Sequence, residues 1–274
     1  MPKEIEIEVF PMFRTSIDPV MVGKWLDRLG ATEFASDAES HECTDPAFAV
    51  ALAAKRCYMA FEPGLNPNVT RVRSDMVKYF DNLLKSGHGS VLEHASYTFA
   101  IEGVSRVFTG EMNRHRAGVG ISEGSMRFIR YDEIPFWMPT SIQPAQSDDE
   151  DLRHRKSQAR DLFRTAFYHM EGWQRQWNAI WDMNNGNHNF DYRKKVTSAG
   201  RRLIGMGVAT GGIWTLNLRA LRHVIALRTE AAAEEEIFMV CGKIAEHMVA
   251  AEPMIFQDFN NLRPGSWQPA NWKV

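Results

Sequence analysis

The chain has 274 residues, 44% of them apolar, which is enough to bury a sizeable core as one large domain or two small ones, and a single domain is expected. Its 34 acidic and 32 basic residues nearly cancel, which removes the electrostatic reason to coat nucleic acid or an anionic membrane and requires any anion site to be local. Three scattered cysteines, Cys43, Cys57 and Cys241, show no metal or redox spacing, so no disulfide frame and no metal site is expected and a reducing cytoplasm suits the chain.

The opening MPKEIEIEVF lacks the apolar run of a signal peptide, and no segment reaches the roughly 18 to 20 apolar residues of a membrane span. A soluble cytoplasmic protein is expected. Ile5 to Phe10 alternates apolar and charged residues, the period of a half-buried strand. Pro46 to Phe61 and Arg71 to Lys85 carry the three-and-four spacing of amphipathic helices. After the turn-like GHGSVLEH, the aromatic and β-branched Tyr97–Ile101 predicts a strand, followed by a helix from about Arg106 to Arg116. Phe128 to Tyr131 predicts another short strand. The acidic, serine-bearing stretch 144–151 reads as a surface loop.

Leu152 to Trp181 predicts a long amphipathic helix, with Trp173, Trp177 and Trp181 at four-residue spacing. That ladder reads as packing, in a core or at a subunit contact, rather than as a cofactor stack. NNGNHNFDY reads as a loop. Ile213 to Phe238 reads as helix, with a break allowed near Thr229, and Gly242 to Met254 as another. Residues 262–274, rich in proline and tryptophan, read as a C-terminal arm or lid. The fold class expected is α+β, a helix-rich single domain over 1–274 with a small central antiparallel sheet.

Three clusters carry chemistry. NRHRAGVGISEGSMRF crowds Arg114, His115, Arg116 and Arg127 around three glycines, Glu123 and Ser125. Its G-x-G-x-x-x-G spacing is not a dinucleotide fingerprint, and no lysine follows as in a phosphate-binding P-loop. Glycines that allow close backbone approach, beside guanidinium forks, instead suggest a phosphate-bearing small molecule at a helix-to-loop junction. In NLRALRHVIALR, Asn217 and Arg228 lie eleven residues apart, about three helical turns or 16 Å, with Arg219 and His223 slightly round the cylinder. In GHGSVLEH, His88, Ser90, Glu93 and His94 crowd together, but a six-residue histidine spacing without a third ligand is a poor metal site.

These three motifs, in this order from about Ala53 to Ala250, resemble the flavin-dependent thymidylate synthases, whose hallmark is Arg-His-Arg, seven or eight residues, then serine. The resemblance implies a homotetramer with shared active sites, FAD at subunit junctions, methylenetetrahydrofolate as one-carbon donor and NADPH as reductant. It places FAD on His88, Ser90, Arg114, His115, Arg116, Asn217, Arg219 and His223. The pyrimidine nucleotide falls to Glu111, Glu123, Gly124, Ser125, Arg127, Arg201 and Arg228. Arg228 would stabilise an anionic uracil ring and Ser125 would position the nucleotide; these two are the catalytic candidates. No nucleic acid or membrane partner is implied. The alternative is a non-catalytic, flavin- or nucleotide-binding regulatory homologue.

The chain also departs from the family pattern. Its central loop carries one extra residue, Ser122 replaces an asparagine, and Phe128 stands where a tyrosine is usual. After Arg228 comes TEAAAEEEIF in place of His-Ala-Gln-Trp-Glu, so Ala232 and Glu234 lose side chains expected near cofactor or folate, and no leucine-proline follows Arg201. These changes ring the nucleotide and folate pockets. The resemblance includes a branch that methylates UMP in nucleoside-antibiotic biosynthesis, and UMP is expected as a substrate beside dUMP.

Overall fold

The computed structural model describes residues 2–34, 43–131 and 133–274. At its centre is a four-stranded antiparallel sheet in the order β2-β3-β6-β4. The strands are β2 (Glu8–Arg14), β3 (Ser96–Ser105), β4 (Val119–Glu123) and β6 (Ala209–Asn217). Two short strands, β1 (Lys3–Glu4) and β5 (Pro135–Phe136), form a separate parallel pair. The α+β class expected from the residue periods holds, and the small central sheet is antiparallel as expected.

Eight helices surround these strands among the described residues: α1 (Pro19–Leu29), α2 (Asp45–Tyr58), α3 (Met76–Lys85), α4 (Arg106–Met112), α5 (Glu150–Ile180), α6 (Phe190–Gly200), α7 (Leu218–Arg228) and α8 (Glu235–Ala251). Most begin at side-chain caps readable in the sequence. Thr44, Asp75, Asp149, Asn189 and Asn217 each accept a hydrogen bond from a backbone N–H in the first turn. None of the described helices is long and apolar enough to cross a membrane.

The main core lies between the sheet and helices α2, α3, α7 and α8, where Phe99, Ile101, Trp214, Leu216, Ile225, Val240 and Met248 are sealed from solvent. A second cluster joins the middle of α5 to β5 through stacked Phe136 and Phe167, 4.5 Å apart.

Several boundaries differ from the periodic reading. Ile213–Asn217 is strand, not helix: Trp214 and Leu216 are buried while Ile213 is exposed, the period-two pattern of β6. Helix resumes only at Leu218, ends at Arg228 with Thr229 as its cap, and restarts at Glu235. Phe128–Tyr131 is not a strand. The strand lies earlier, in Val119–Glu123, where Val119 and Ile121 pack on the core between outward Gly120 and Ser122. Helix α4 stops at Met112, four residues short of Arg116, which releases the Arg-His-Arg segment as a turn.

The 144–151 stretch is tied down at its end. Asp148 is buried, accepts from Ala145 N–H and pairs with Lys156 at 2.9 Å, and Glu150 already belongs to α5. The C-terminal segment is a hairpin, β7 (Phe259–Arg263) with β8 (Ser266–Pro269). Thr229 Oγ1 donates to Trp267 O and accepts from Trp267 N–H, docking the hairpin on the end of α7. In the tryptophan ladder only Trp177 is anchored: its indole donates to Val196 O at 3.2 Å and lies so close over Gly200 that a Cβ there would meet it at 2.6 Å. Trp173 and Trp181 remain about half exposed.

Candidate active site

The Arg-His-Arg turn runs from the end of α4 to the start of β4. Gly118 makes the passage in a left-handed conformation, φ 71°, and a Cβ there would lie 2.3 Å from Asn217 Nδ2. Gly118 O accepts from Asn217 N–H at 2.9 Å, and Asn217 in turn caps α7 through Ala220 N–H at 2.8 Å. The turn and the N-terminus of α7 are thereby locked together, with the positive end of the helix dipole facing the same space.

A cavity of about 400 Å³ results, lined by Arg114, His115, Arg116, Asn217, Arg219 and His223. Glu93 joins that wall and holds Arg219 at 2.6 Å. His88 and Ser90 line a different cavity, of about 430 Å³, with Tyr58 and Tyr79. The 3-10 turn Gly89–His94 separates the two, since Gly89 packs against the Arg219 guanidinium. Six of the eight residues expected to contact FAD thus share one cavity in this chain.

Arg228 lies at the other end of α7 and is largely buried. Its Nε donates to His115 Nε2 at 2.9 Å and its Nη1 to Glu111 Oε2 at 2.8 Å. A guanidinium only donates, so His115 Nε2 must be a bare acceptor and the imidazole is neutral with its proton on Nδ1. Burial and the neighbouring charges of Arg228 and His223 push the His115 pKa down to about 4, against the opposing pull of Glu111. Glu111 from α4, His115 from the turn and Arg228 from α7 form one network.

A second cavity, of about 410 Å³, is lined by Arg106, Glu123, Gly124, Ser125, Arg201 and Arg202. Glu123 is committed within the chain. It forms a close ion pair with Arg106 and accepts from Asn113 Nδ2 at 2.7 Å, while Asn113 Oδ1 accepts from the buried Trp214 indole at 3.1 Å. Arg106 also donates to Gly124 O. Arg201, by contrast, has no carboxylate partner among the described residues. Ser125 Oγ accepts weakly from Arg127 N–H at 3.4 Å, and among the described residues no histidine is hydrogen-bonded to it as a base.

Of the residues expected to hold the nucleotide, Glu123, Gly124, Ser125 and Arg201 are brought together, Glu111 and Arg228 lie in the His115 network, and Arg127 turns onto α6. Phe128 stacks on Phe190 at 5.9 Å and lines neither cavity. Glu234 serves as the cap of α8, accepting from Glu236 and Ile237 N–H. Arg106, Asn113 and Arg202 escaped the sequence reading. Arg106 and Asn113 sit at the two ends of α4, and only the fold of β4 back along β6 brings Glu123 to both.

Known proteins resemble the chain over most of its length. The profile of the family described as thymidylate synthase complementing protein matches residues 40–254. A flavin-dependent thymidylate synthase from Mycobacterium tuberculosis (strain H37Rv) is 31% identical over 215 residues, 77% of this chain and 78% of its own length. One from Mycolicibacterium vanbaalenii is 30% identical over 234 residues, covering 84% and 88%. Among solved structures, the UMP/dUMP methylase PolB from Streptomyces cacaoi, bound with 5-Br UMP, superposes with a TM-score of 0.60 at 17% identity, covering 93% of each chain. Thymidylate synthase X from Helicobacter pylori, with FAD and dUMP, superposes at 0.54 and 15% identity, covering 92% and 98%.

The chain shares with these proteins a helix-rich shell on a small sheet, and its arginine-glycine turn docks on a helix N-terminus. The chain belongs to the thymidylate synthase complementing protein family and is an enzyme of the flavin-dependent thymidylate synthase kind.

Proposed function

We propose that the protein catalyses the FAD-dependent reductive methylation of uracil C5 in dUMP and UMP, with methylenetetrahydrofolate as one-carbon donor and NADPH as reductant, in a homotetramer with shared active sites. The observation that carries the reading is the joining of Glu111, His115 and Arg228 in one network at the cavity that gathers six of the expected FAD contacts, with Ser125 and Arg201 lining another cavity together.

The donor set of the first cavity fits a dinucleotide cofactor. Arg114, Arg116 and Arg219 offer forked donors for a pyrophosphate, Asn217 and His223 offer hydrogen bonds, and Gly118 lets backbone approach closely. Neutral His115 can donate through Nδ1 without adding charge. Bound there, FAD would supply the reducing equivalents and so make methylation of C5 possible without a cysteine adding to C6. Cys43 and Cys241 suit that scheme, since burial pushes their thiols up to about 11 and about 12 and leaves them protonated at neutral pH. The division of the expected contacts among several cavities of one chain supports sites completed by neighbouring subunits.

In the second cavity Arg201, with Arg127 beside it, would take the nucleotide phosphate. Ser125 would position the nucleotide by a hydrogen bond. Glu123, paired to Arg106, fixes the loop and is not free to act as a base. Arg228, held in orientation by Glu111, would stabilise negative charge on the uracil ring, a task for which a permanently charged guanidinium suits. Use of UMP rests on the lengthened loop and on Phe128, which is drawn to Phe190 and away from the Ser125 cavity, leaving the ribose 2′ side less crowded.

The test has two steps. Protein as isolated should show flavin absorbance in the visible, and under anaerobic conditions the reduced protein should be reoxidised only when nucleotide and methylene donor are both present. Colourless protein that binds nucleotide without turnover would point to a regulatory homologue. Steady-state rates with both nucleotides then decide the substrate, and a dUMP preference of about a thousandfold or more would end the UMP part.

A further inference from the structure

Arg127 lines a cavity of about 370 Å³ that is none of the three described above. Its other cations are Lys194 and Lys195 from α6 and Arg202 from the 3-10 turn that follows, Arg201–Leu203, and its one carboxylate is Asp191. Arg202 is held in place by donating to Ser198 O at 2.9 Å. Among the described residues none of these four cations has a carboxylate within ion-pair distance. In a chain with 34 acidic and 32 basic residues, four like charges around one small cavity repel one another until an anion arrives.

Two further features give that anion a shape. Phe128 and Phe190, 51% and 66% exposed, stack at 5.9 Å with an interplanar angle of 16°, forming a flat apolar surface at the rim. Lys194 Nζ lies 5.2 Å above the Phe128 ring, and the Arg127 guanidinium 6.0 Å from it, so rim and cations are continuous. Arg202 lines both this cavity and the one holding Ser125 and Arg201, so the two adjoin. A nucleotide monophosphate, carrying about two charges, is matched by Arg201 and Arg127 alone. Lys194, Lys195 and Arg202 lie beyond it.

We propose that this face binds the oligocarboxylate tail of the one-carbon donor, with its aryl ring against Phe128 and Phe190 and successive carboxylates over Lys194, Lys195 and Arg202. The proposal rests on the donor being a reduced folate, as argued above. A carboxylate chain fits better than a nucleotide polyphosphate for two reasons. Ammonium groups on flexible stems can follow a chain of variable geometry, whereas the backbone amides of a phosphate cradle would need glycines that do not line this cavity. A polyphosphate also has no ring to place on the exposed phenylalanine pair.

The test is direct binding, by calorimetry on the FAD-loaded protein, of p-aminobenzoyl-monoglutamate and p-aminobenzoyl-triglutamate. The triglutamate should bind about tenfold more tightly, the effect of a few exposed ion pairs, and lose most of that advantage in roughly 0.5 M salt. K194E/K195E should abolish the preference, K194A/K195A should reduce it, and dUMP affinity should hold in both. Equal affinity of the two probes for the unmodified protein overturns the proposal, as does a preference that survives K194E/K195E. So does a double variant that weakens dUMP or dUDP in place of the long probe, since the cations would then serve nucleotide phosphates. Neither probe needs turnover, so absence of methyl transfer would count against the proposed reaction and leave this result readable.

Discussion

On the inner side of α7, Arg222 is 1% exposed and donates to both oxygens of Asp258 and to Ile255 O, with its guanidinium over the Phe259 ring. At the C-terminal end of the same helix, the Arg228 side chain is 16% exposed, and its partners are the Glu111 carboxylate from the end of α4 and the neutral His115 imidazole of the Arg-His-Arg motif. Sequence spacing does not distinguish the two arginines. Surroundings do: the first has a bidentate partner and an aromatic sleeve, which commits it to the fold, whereas the second is held by groups that a bound anion can compete with.

The comparison breaks most sharply at the buried pair. R222A should cost about 3–5 kcal/mol in urea unfolding because it strands the Asp258 charge, while replacing both partners with apolar residues should recover much of that loss. A loss below about 1 kcal/mol would mean that Arg222 is no more structural than Arg228. For Arg228 the effect should move to catalysis. R228A should lower kcat/KM by about a hundredfold or more, with stability changed by less than about 1 kcal/mol. R228K should not rescue it, because the contacts to His115 and Glu111 come from two separate nitrogens, Nε and Nη1, held in a rigid planar fork that a single ammonium nitrogen does not reproduce.

A smaller effect is expected between these extremes, at the turn that docks on α7. G118A should destabilise the protein by about 1–3 kcal/mol, since φ 71° strains any side chain and the new Cβ would displace the Asn217 cap. An unchanged urea midpoint would show that the turn is not locked to the helix.

The pH dependence sharpens the Arg228 side. His115 should titrate by NMR near 4, and R228A should move that midpoint upward by removing a neighbouring positive charge. Because the folded value is depressed, the unfolded chain binds the proton first. The His115 contribution is therefore complete above about 6.5, the ordinary value, and is lost as pH falls from there through about 4. A His115 midpoint at 6.5 would contradict the Arg228 contact. The smallest effect should come from the thiols: replacing Cys43, Cys57 and Cys241 singly by alanine should change methyl transfer by less than about twofold, and abolition by any one would remove the case for cysteine-free chemistry.

The reading of the chain succeeded where one period ran uninterrupted and a cap marked its start. The long helix after Asp149 and the strand through Tyr97–Ile101 are of this kind, as is the alanine-rich helix after Thr44. It failed where two periods meet without punctuation. TGGIWTLNLRALRH passes from strand to helix with apolar residues at spacings that satisfy both, and the switch is made by Asn217 capping α7. Glycines hid β4, because a strand whose outward positions are Gly120 and Ser122 looks like a loop in one dimension.

The candidate site divides in the same way. The motif residues were legible because fork-bearing and imidazole side chains crowd together in sequence beside glycines, and this chemistry needs no knowledge of the fold. What only the tertiary structure decided is who touches whom. Arg106 binds Glu123, Asn113 bridges Glu123 to Trp214, Arg228 binds His115, and Arg127 leaves its motif for the lysines of α6. Residue type determines which charges and donors are available. Pairing depends on distance and burial, which arise only when β4 folds against β6 and α7 turns Arg222 and Arg228 toward different surroundings.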